Sequence, residues 1–293
     1  MSVTFEDIQA AQSRIAGQVD RTPVRHSRRL SQATGAEVWV KFDNLHFTGS
    51  FKERGALNRL LSLTPDERRR GVVAASAGNH AQALAYHGGR LGIPVTIVMP
   101  EGTPFTKVDG TRSHGAHVVI HGLDFTASTA EAHRLRDTEG FVFISAFDDA
   151  GIVAGQGVCG LEFLEDAPDL DALVIPIGGG GLIAGCAIAA KAMKPDIRIF
   201  GVEAAMYPSL APGGRACRPS AAGRRSPRAS PSRPSATSPS PWPTPWSRTW
   251  SSAPRRTSSA PSRCSRPSKR PSPRGPVPGV WPPCWPNRSG SGG

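Results

Sequence analysis

Acidic residues stop at Glu203. Residues 211–293 contain no Asp or Glu, against fourteen Arg and one Lys, so that stretch carries +15. The whole chain is +12, which leaves 1–210 at −3. The basic balance is therefore a property of the final stretch and says nothing about partners of the front part. Cysteine is sparse: Cys159, Cys186, Cys217, Cys264 and Cys284 form no CxxC pair and no metal-binding spacing. That excludes a zinc motif legible in sequence and leaves a buried free thiol as the default for the first two. No apolar run approaches a membrane span and no signal peptide is legible. The expectation is a reduced, cytoplasmic protein with no membrane partner. No internal repeat recurs at a fixed period.

What is present divides in two. From 1 to 210 the chain reads as an ordinary globular protein. An apolar stripe of Phe5, Ile8, Ile15 and Val19 behind Thr4 and Asp7 predicts a capped helix over 4–19. Residues 37–41 alternate as a strand, and a helix is expected over 50–63. Short apolar strands are then expected at 72–75, 95–99, 118–120, 141–144, 173–177 and 197–202. Helices are expected between them at 81–91, 104–113, 125–138, 152–165 and 182–193. This alternation means βαβ units and a parallel sheet buried on both faces.

After residue 210 that grammar ends. Nineteen of the 28 prolines fall in 211–293, which forbids helix interiors and central strands. By composition the stretch is disordered. Yet it holds five of the six tryptophans: Trp242, Trp246, Trp250, Trp281 and Trp285. A basic nucleic-acid-binding arm is one reading. A shifted reading frame of a GC-rich gene is the other, and the abrupt loss of every acid favours it.

Three motifs in the front part carry chemistry. Lys52 follows Ser50 and Phe51 at a helix start, with Glu53 completing a Ser-x-x-Glu capping box around it. A lone lysine is ordinarily a solvated surface group. A lysine at the positive end of a helix is biased toward the neutral amine, the form that makes Schiff bases with carbonyls. Gly178, Gly179, Gly180 and Gly181 connect a strand to a helix, where free N–H groups suit a phosphate; about half of such turns are only tight connections. Ser76, Ala77, Gly78, Asn79 and His80 stand at the carboxyl end of a strand, where parallel sheets bind ligands. An Asx-type turn and helix cap would fit those residues too. An amine nucleophile, an amide-bearing turn and a phosphate cradle together suit a cofactor with an aldehyde, a ring hydroxyl and a phosphate, such as pyridoxal 5'-phosphate.

At these residues the chain resembles the serine/threonine dehydratases of the tryptophan-synthase-β-like class (fold type II) of pyridoxal-phosphate enzymes. The resemblance covers about 4–210. It rests on Thr22-Pro23, Ser50-Phe51-Lys52-x-Arg54-Gly55-Ala56, Ser76-x-Gly78-Asn79-His80-Ala81-Gln82, Pro100 with Lys107, and Pro176-x-Gly178 through Leu182. It implies an α/β, two-lobed fold with parallel sheets flanked by helices. The large cofactor-binding lobe would be 1–45 plus 151–210, the small lobe 46–150, and 211–293 an incomplete or disordered tail. It further implies that Lys52 carries the cofactor as a Schiff base and that Phe51 packs near the ring. Asn79 would contact the ring hydroxyl and the four glycines the phosphate. The turn from Ser76 to His80 would take the substrate carboxylate. The implied reaction is threonine or serine dehydration to a 2-oxo acid and ammonia, by a homodimer or homotetramer, with nucleic acid set aside as a partner.

Two features choose within the resemblance. Serine racemases of this class carry a serine where Ala77 stands, and alanine has no titratable group. No metal ion is expected, because Ser209 stands where a second carboxylate would join Glu203. The departures are Lys41-Phe42-Asp43-Asn44-Leu45-His46 in place of the usual K-x-E-N-x-Q, and the tail, where nothing matches. A related racemase, a hydroxyaspartate dehydratase, or an inactive relative with a nucleic-acid-binding tail are the alternatives.

Overall fold

The computed structural model describes residues 2–204 together with Ser209, all within the first of the two units, 1–243 and 244–293, into which the chain divides. The expectations for 211–293 lie outside the described residues.

Helix α1 (Phe5–Ile15) carries the expected capping box. Asp7 N–H donates to Thr4 Oγ1 and Thr4 N–H to Asp7 Oδ2. Strand β1 (Val24–His26) pairs antiparallel with β2 (Trp39–Lys41) around helix α2 (Arg28–Thr34). The sequence reading missed β1 and α2, which are three and seven residues long and offer too few apolar positions to show a period. A 3-10 turn at Asp43–Leu45 leads to α3 (Lys52–Leu61). Helix α4 (Pro65–Arg70) was also missed, although Thr64 and Glu67 form a reciprocal cap with proline at its start.

The expected alternation follows: β3 (Val72–Ala75), α5 (Asn79–Leu91), β4 (Val95–Met99), α6 (Phe105–Ser113), β5 (His117–Ile120), α7 (Phe125–Glu139), β6 (Val142–Phe143), α8 (Ala150–Asp166), β7 (Ala172–Pro176), α9 (Gly181–Met193) and β8 (Arg198–Val202). The first four of these strands form one parallel sheet in the order β5-β4-β3-β6. Strands β3 and β4 are buried throughout. Val72, Ala74, Ile97 and Met99 join Leu60, Leu84 and Ile152 in one core. Val73, Ala75 and Val98 face the other way, against Ala132. Both faces are covered, as a parallel sheet requires.

The strand order sets the site. The chain winds outward from β3 to β5, then returns to place β6 against the other edge of β3. The order reverses between β3 and β6, and a crevice opens at the carboxyl ends of such neighbours.

Helices α3, α8 and α9 pack at backbone distance, which accounts for Gly155, Gly157 and Gly160 of α8. A Cβ on Gly155 would lie 2.6 Å from the Cα of Gly55, and one on Gly55 would lie 2.8 Å from the carbonyl oxygen of Ile152. A Cβ on Gly157 would lie 3.0 Å from the carbonyl oxygen of Gly185. Only hydrogen fits at these crossings.

Candidate active site

Lys52 is the first residue of α3, and the expected capping box around it does not form. The N-cap is Phe51, in helical conformation and without a side-chain cap. Ser50 Oγ accepts from the Lys52 N–H at 3.4 Å. Glu53 turns away instead. Buried, it accepts from the Thr48 N–H and lies 3.4 Å from His87 Nε2 on α5. A buried carboxylate takes the partners that tertiary packing brings to it, and here these prevail over the local cap.

The Lys52 side chain runs inward. Its Nζ donates to the Ala146 carbonyl at 2.6 Å and lies 5.2 Å from the centre of the Phe51 ring. Burial pushes its pKa down to about 8. The direction agrees with the sequence reading, but the cause the structure supplies is desolvation.

Below α3, Arg54 holds the lysine turn in place. Its guanidinium donates to both oxygens of Asp43 (2.9 and 3.0 Å) and to both oxygens of Glu162 on α8 (2.9 Å each). Lys41 Nζ donates to Glu162 at 2.7 Å and to the Thr22 carbonyl at 2.8 Å, and Thr22 Oγ1 donates to Asp43 at 2.6 Å. Two cations and two carboxylates thus cancel inside the protein. Burial would raise the Asp43 carboxyl. His46 and the hydrogen-bonded Arg54 outweigh it and hold the group well below the usual carboxylate range.

The turn 76–80 leaves β3 beside the lysine. Gly78 caps α5, its N–H donating to Ser76 Oγ at 3.2 Å. Asn79 is exposed at the first helical position, and Ala77 packs on the core. His80 is buried, with Nε2 3.3 Å from the Ile144 carbonyl and no partner on Nδ1. Burial first, and the Lys52 charge second, press its pKa down to about 3 against the pull of that carbonyl. His80 is therefore neutral at ordinary pH.

The glycine run follows β7. Gly180 is the N-cap of α9 at φ 89°, a left-handed conformation, and Gly181 opens the helix. A Cβ on Gly178 would meet open space, whereas one on Gly179 would overlap the Phe147 ring. The Ser209 N–H donates to Glu203 Oε1 at 2.6 Å, and its hydroxyl lies 2.5 Å from the Gly178 carbonyl oxygen and 2.9 Å from Glu203 Oε1.

One segment, 144–149, ties these pieces together, and the sequence reading gave it no functional role. Ile144 meets His80, Ala146 accepts from Lys52, and Phe147 lies against Gly179 and Gly181. Asp149 caps α8 at 3.0 Å and binds Arg59 on α3 at 3.0 Å. The cap was the one signal in sequence that could have drawn attention to it. Ala75 and residues 143–148 also line a cavity of about 250 Å³ against Phe125, Thr129 and His133 of α7. The structure thus gathers Phe51, Lys52, His80 and, through Phe147, the glycine turn. Lys52 and the glycine turn share no hydrogen bond among the described residues.

A buried lysine beside the switch point of one parallel sheet, and a glycine turn at the start of α9 after a second sheet, are groups suited chemically to a carbonyl and to an anion. Comparison with known proteins makes the class specific. The family model described as pyridoxal-phosphate dependent enzyme matches residues 15–253, and the chain belongs to that family. It is 46% identical over 208 residues to an L-threonine ammonia-lyase of Thermotoga maritima, covering 71% of this chain and 52% of that protein. It is 46% identical over 203 residues to a catabolic L-threonine dehydratase of Escherichia coli, covering 69% and 62%. Among solved structures, the processed form of threonine deaminase isoform 2 from Solanum lycopersicum superposes with a TM-score of 0.64 at 38% identity, over 68% of this chain and 54% of that one. Maize serine racemase superposes with a TM-score of 0.67 at 36% identity, over 69% and 62%. The fold is that of the fold type II enzymes. The chain spans between half and two thirds of the length of these relatives.

Proposed function

We propose that this chain is a pyridoxal-phosphate-dependent threonine/serine dehydratase, giving a 2-oxo acid and ammonia. The observation that carries the proposal is the Lys52 amine: buried, held by the Ala146 carbonyl and pushed down to about 8. The named relatives at 46% identity support the substrate class. The donor set fits the cofactor. Lys52 Nζ suits an aldehyde carbon, and Gly178, Gly179, Gly180 and Gly181 with the first N–H groups of α9 suit a phosphate. Phe51 would flank the ring and Asn79 its hydroxyl.

When bound, pyridoxal phosphate supplies an electron sink for negative charge developing at the substrate Cα. Every other task falls to the chain. With a pKa near the working pH, Lys52 Nζ is poised to take the α-proton and hold it. The turn 76–80 offers the unpaired N–H groups at the start of α5 to the substrate carboxylate. Neutral His80 adds no charge that would compete with the amine. Segment 144–148 lines the cavity and supplies the Ala146 carbonyl that holds the amine. In this reading the cleft lies between a small lobe, 46–150, and a large lobe of 1–45 plus 151–210, in a cytoplasmic homo-oligomer. Racemisation needs an acid or base on the second face of Cα, and the Ala77 methyl supplies none.

An absorbance spectrum of the chain with added pyridoxal phosphate, beside Lys52→Ala, is the first test. A band near the visible edge in the original and not in the variant supports the site. Release of 2-oxobutanoate and ammonia from L-threonine supports the reaction. D-amino acid as the main product would overturn it in favour of a racemase.

A further inference from the structure

The ribbon of β7 and β8 is covered on one side. Leu173 and Ile175 face Cys186, Ala190 and Ile197 in the core. The in-register pairing sets Val174 beside Phe200 and Pro176 beside Val202 on the opposite face. There Val174 is 69% exposed, Val202 51% and Phe200 40%, with Arg198 at the edge. Parallel strands occur almost only in sheets covered on both faces, and two strands are too few to stand alone. Among the described residues nothing covers this face.

The sequence of 211–293 indicates what does. Consider the same nucleotides read one base earlier, so that each triplet is the last base of one codon and the first two of the next. Tryptophan has the single codon TGG, so Trp followed by Pro becomes GCC, alanine; this occurs at Trp242, Trp281 and Trp285. Any residue followed by Trp or Cys becomes NTG, which is Leu, Met or Val. Trp followed by Ser, at Trp246, becomes Val or Glu, and so does Trp250. Over 280–286 the triplets read Leu/Met/Val, Ala, a small residue or Pro, Leu/Met/Val, Leu, Ala, and no stop codon is possible. This is an apolar, helix-like word. The opposite shift turns every one of these tryptophans into glycine. Three of the anomalous tryptophans thus become alanine and the other two valine or glutamate, and codons for acids return through Ser and Thr.

We propose that the open face of β7 and β8 is the docking surface for the polypeptide that this stretch encodes in the frame one base earlier. Its aliphatic residues would cover Val174, Phe200 and Val202, and its acidic residues would meet Arg198. This stands independently of the reaction assigned above.

The test uses the full chain and that polypeptide, encoded from codons 211–293 and co-expressed with it. The alternative frame must be open throughout in the gene. The two should elute together, and backbone amides at 172–176 and 198–202 should exchange about tenfold more slowly in the complex. Val174→Asp combined with Phe200→Asp, both exposed, should abolish association while leaving the circular dichroism of the chain unchanged. A stop codon in that frame, absence of a complex, a complex indifferent to the paired substitution, or occupation of the face by a second copy of the chain would overturn the proposal.

Discussion

The most exacting consequence of the site concerns one proton. Lys52 loses its proton at about pH 8 because its ammonium is buried, against 10.5 for an ordinary lysine. At pH 7 about one Lys52 in ten is then the free amine, roughly three hundred times the fraction in an exposed lysine. Limiting trinitrobenzenesulfonate, followed by peptide mapping, reads the pH midpoint for Lys52 against exposed Lys107 in the same sample. Restricted access lowers the rate at every pH but leaves the midpoint in place. The expected midpoint is near 8 for Lys52, moving upward in Phe51→Ala, which opens the amine to water. The sign for stability follows. The folded chain binds fewer protons than the unfolded one between pH 8 and 10.5, so stability rises with pH through that window. The rise is about 3 kcal/mol at most and is lost in Lys52→Met. A labelling midpoint close to that of an ordinary lysine, or an unchanged slope in Lys52→Met, would refute the claim that burial tunes this lysine.

Other substitutions probe what holds the lysine. Gly55→Ala drives a methyl into the α3–α8 crossing and should cost about 1–3 kcal/mol in urea unfolding, while Gly102→Ala, whose Cβ meets open space, should stay within about 0.5 kcal/mol. Arg54→Met strips Asp43 and Glu162 of their shared guanidinium, leaving Lys41 on Glu162 and His46 3.6 Å from Asp43, and should cost about 3–5 kcal/mol. Gly179→Ala should cost about 1–3 kcal/mol through overlap with the Phe147 ring, and Phe147→Ala should recover most of it in a double-mutant cycle.

The alternation of strands and helices from 72 to 202 was legible in sequence because each element carries its own period and its own punctuation. The capping box at Thr4 was legible for the same reason, since its partners are three residues apart. Lys52 and the glycine run could be singled out because their chemistry depends on residue type at a helix start. The same local logic failed at Glu53. Its place in a Ser-x-x-Glu pattern promised a cap, but burial brought it to His87, thirty-four positions along the chain. It failed again at 144–149. The Ala146 carbonyl that holds Lys52, and the Phe147 ring against the glycines, come from backbone and packing that no residue pattern announces. The sequence therefore determined the elements from 72 to 202, their order and the residue types at the helix starts. The tertiary structure decided which carbonyl receives the lysine and how closely α3 approaches α8. It also decided where Arg54 places its charge, because each depends on residues distant in the chain meeting in a space from which water has been removed.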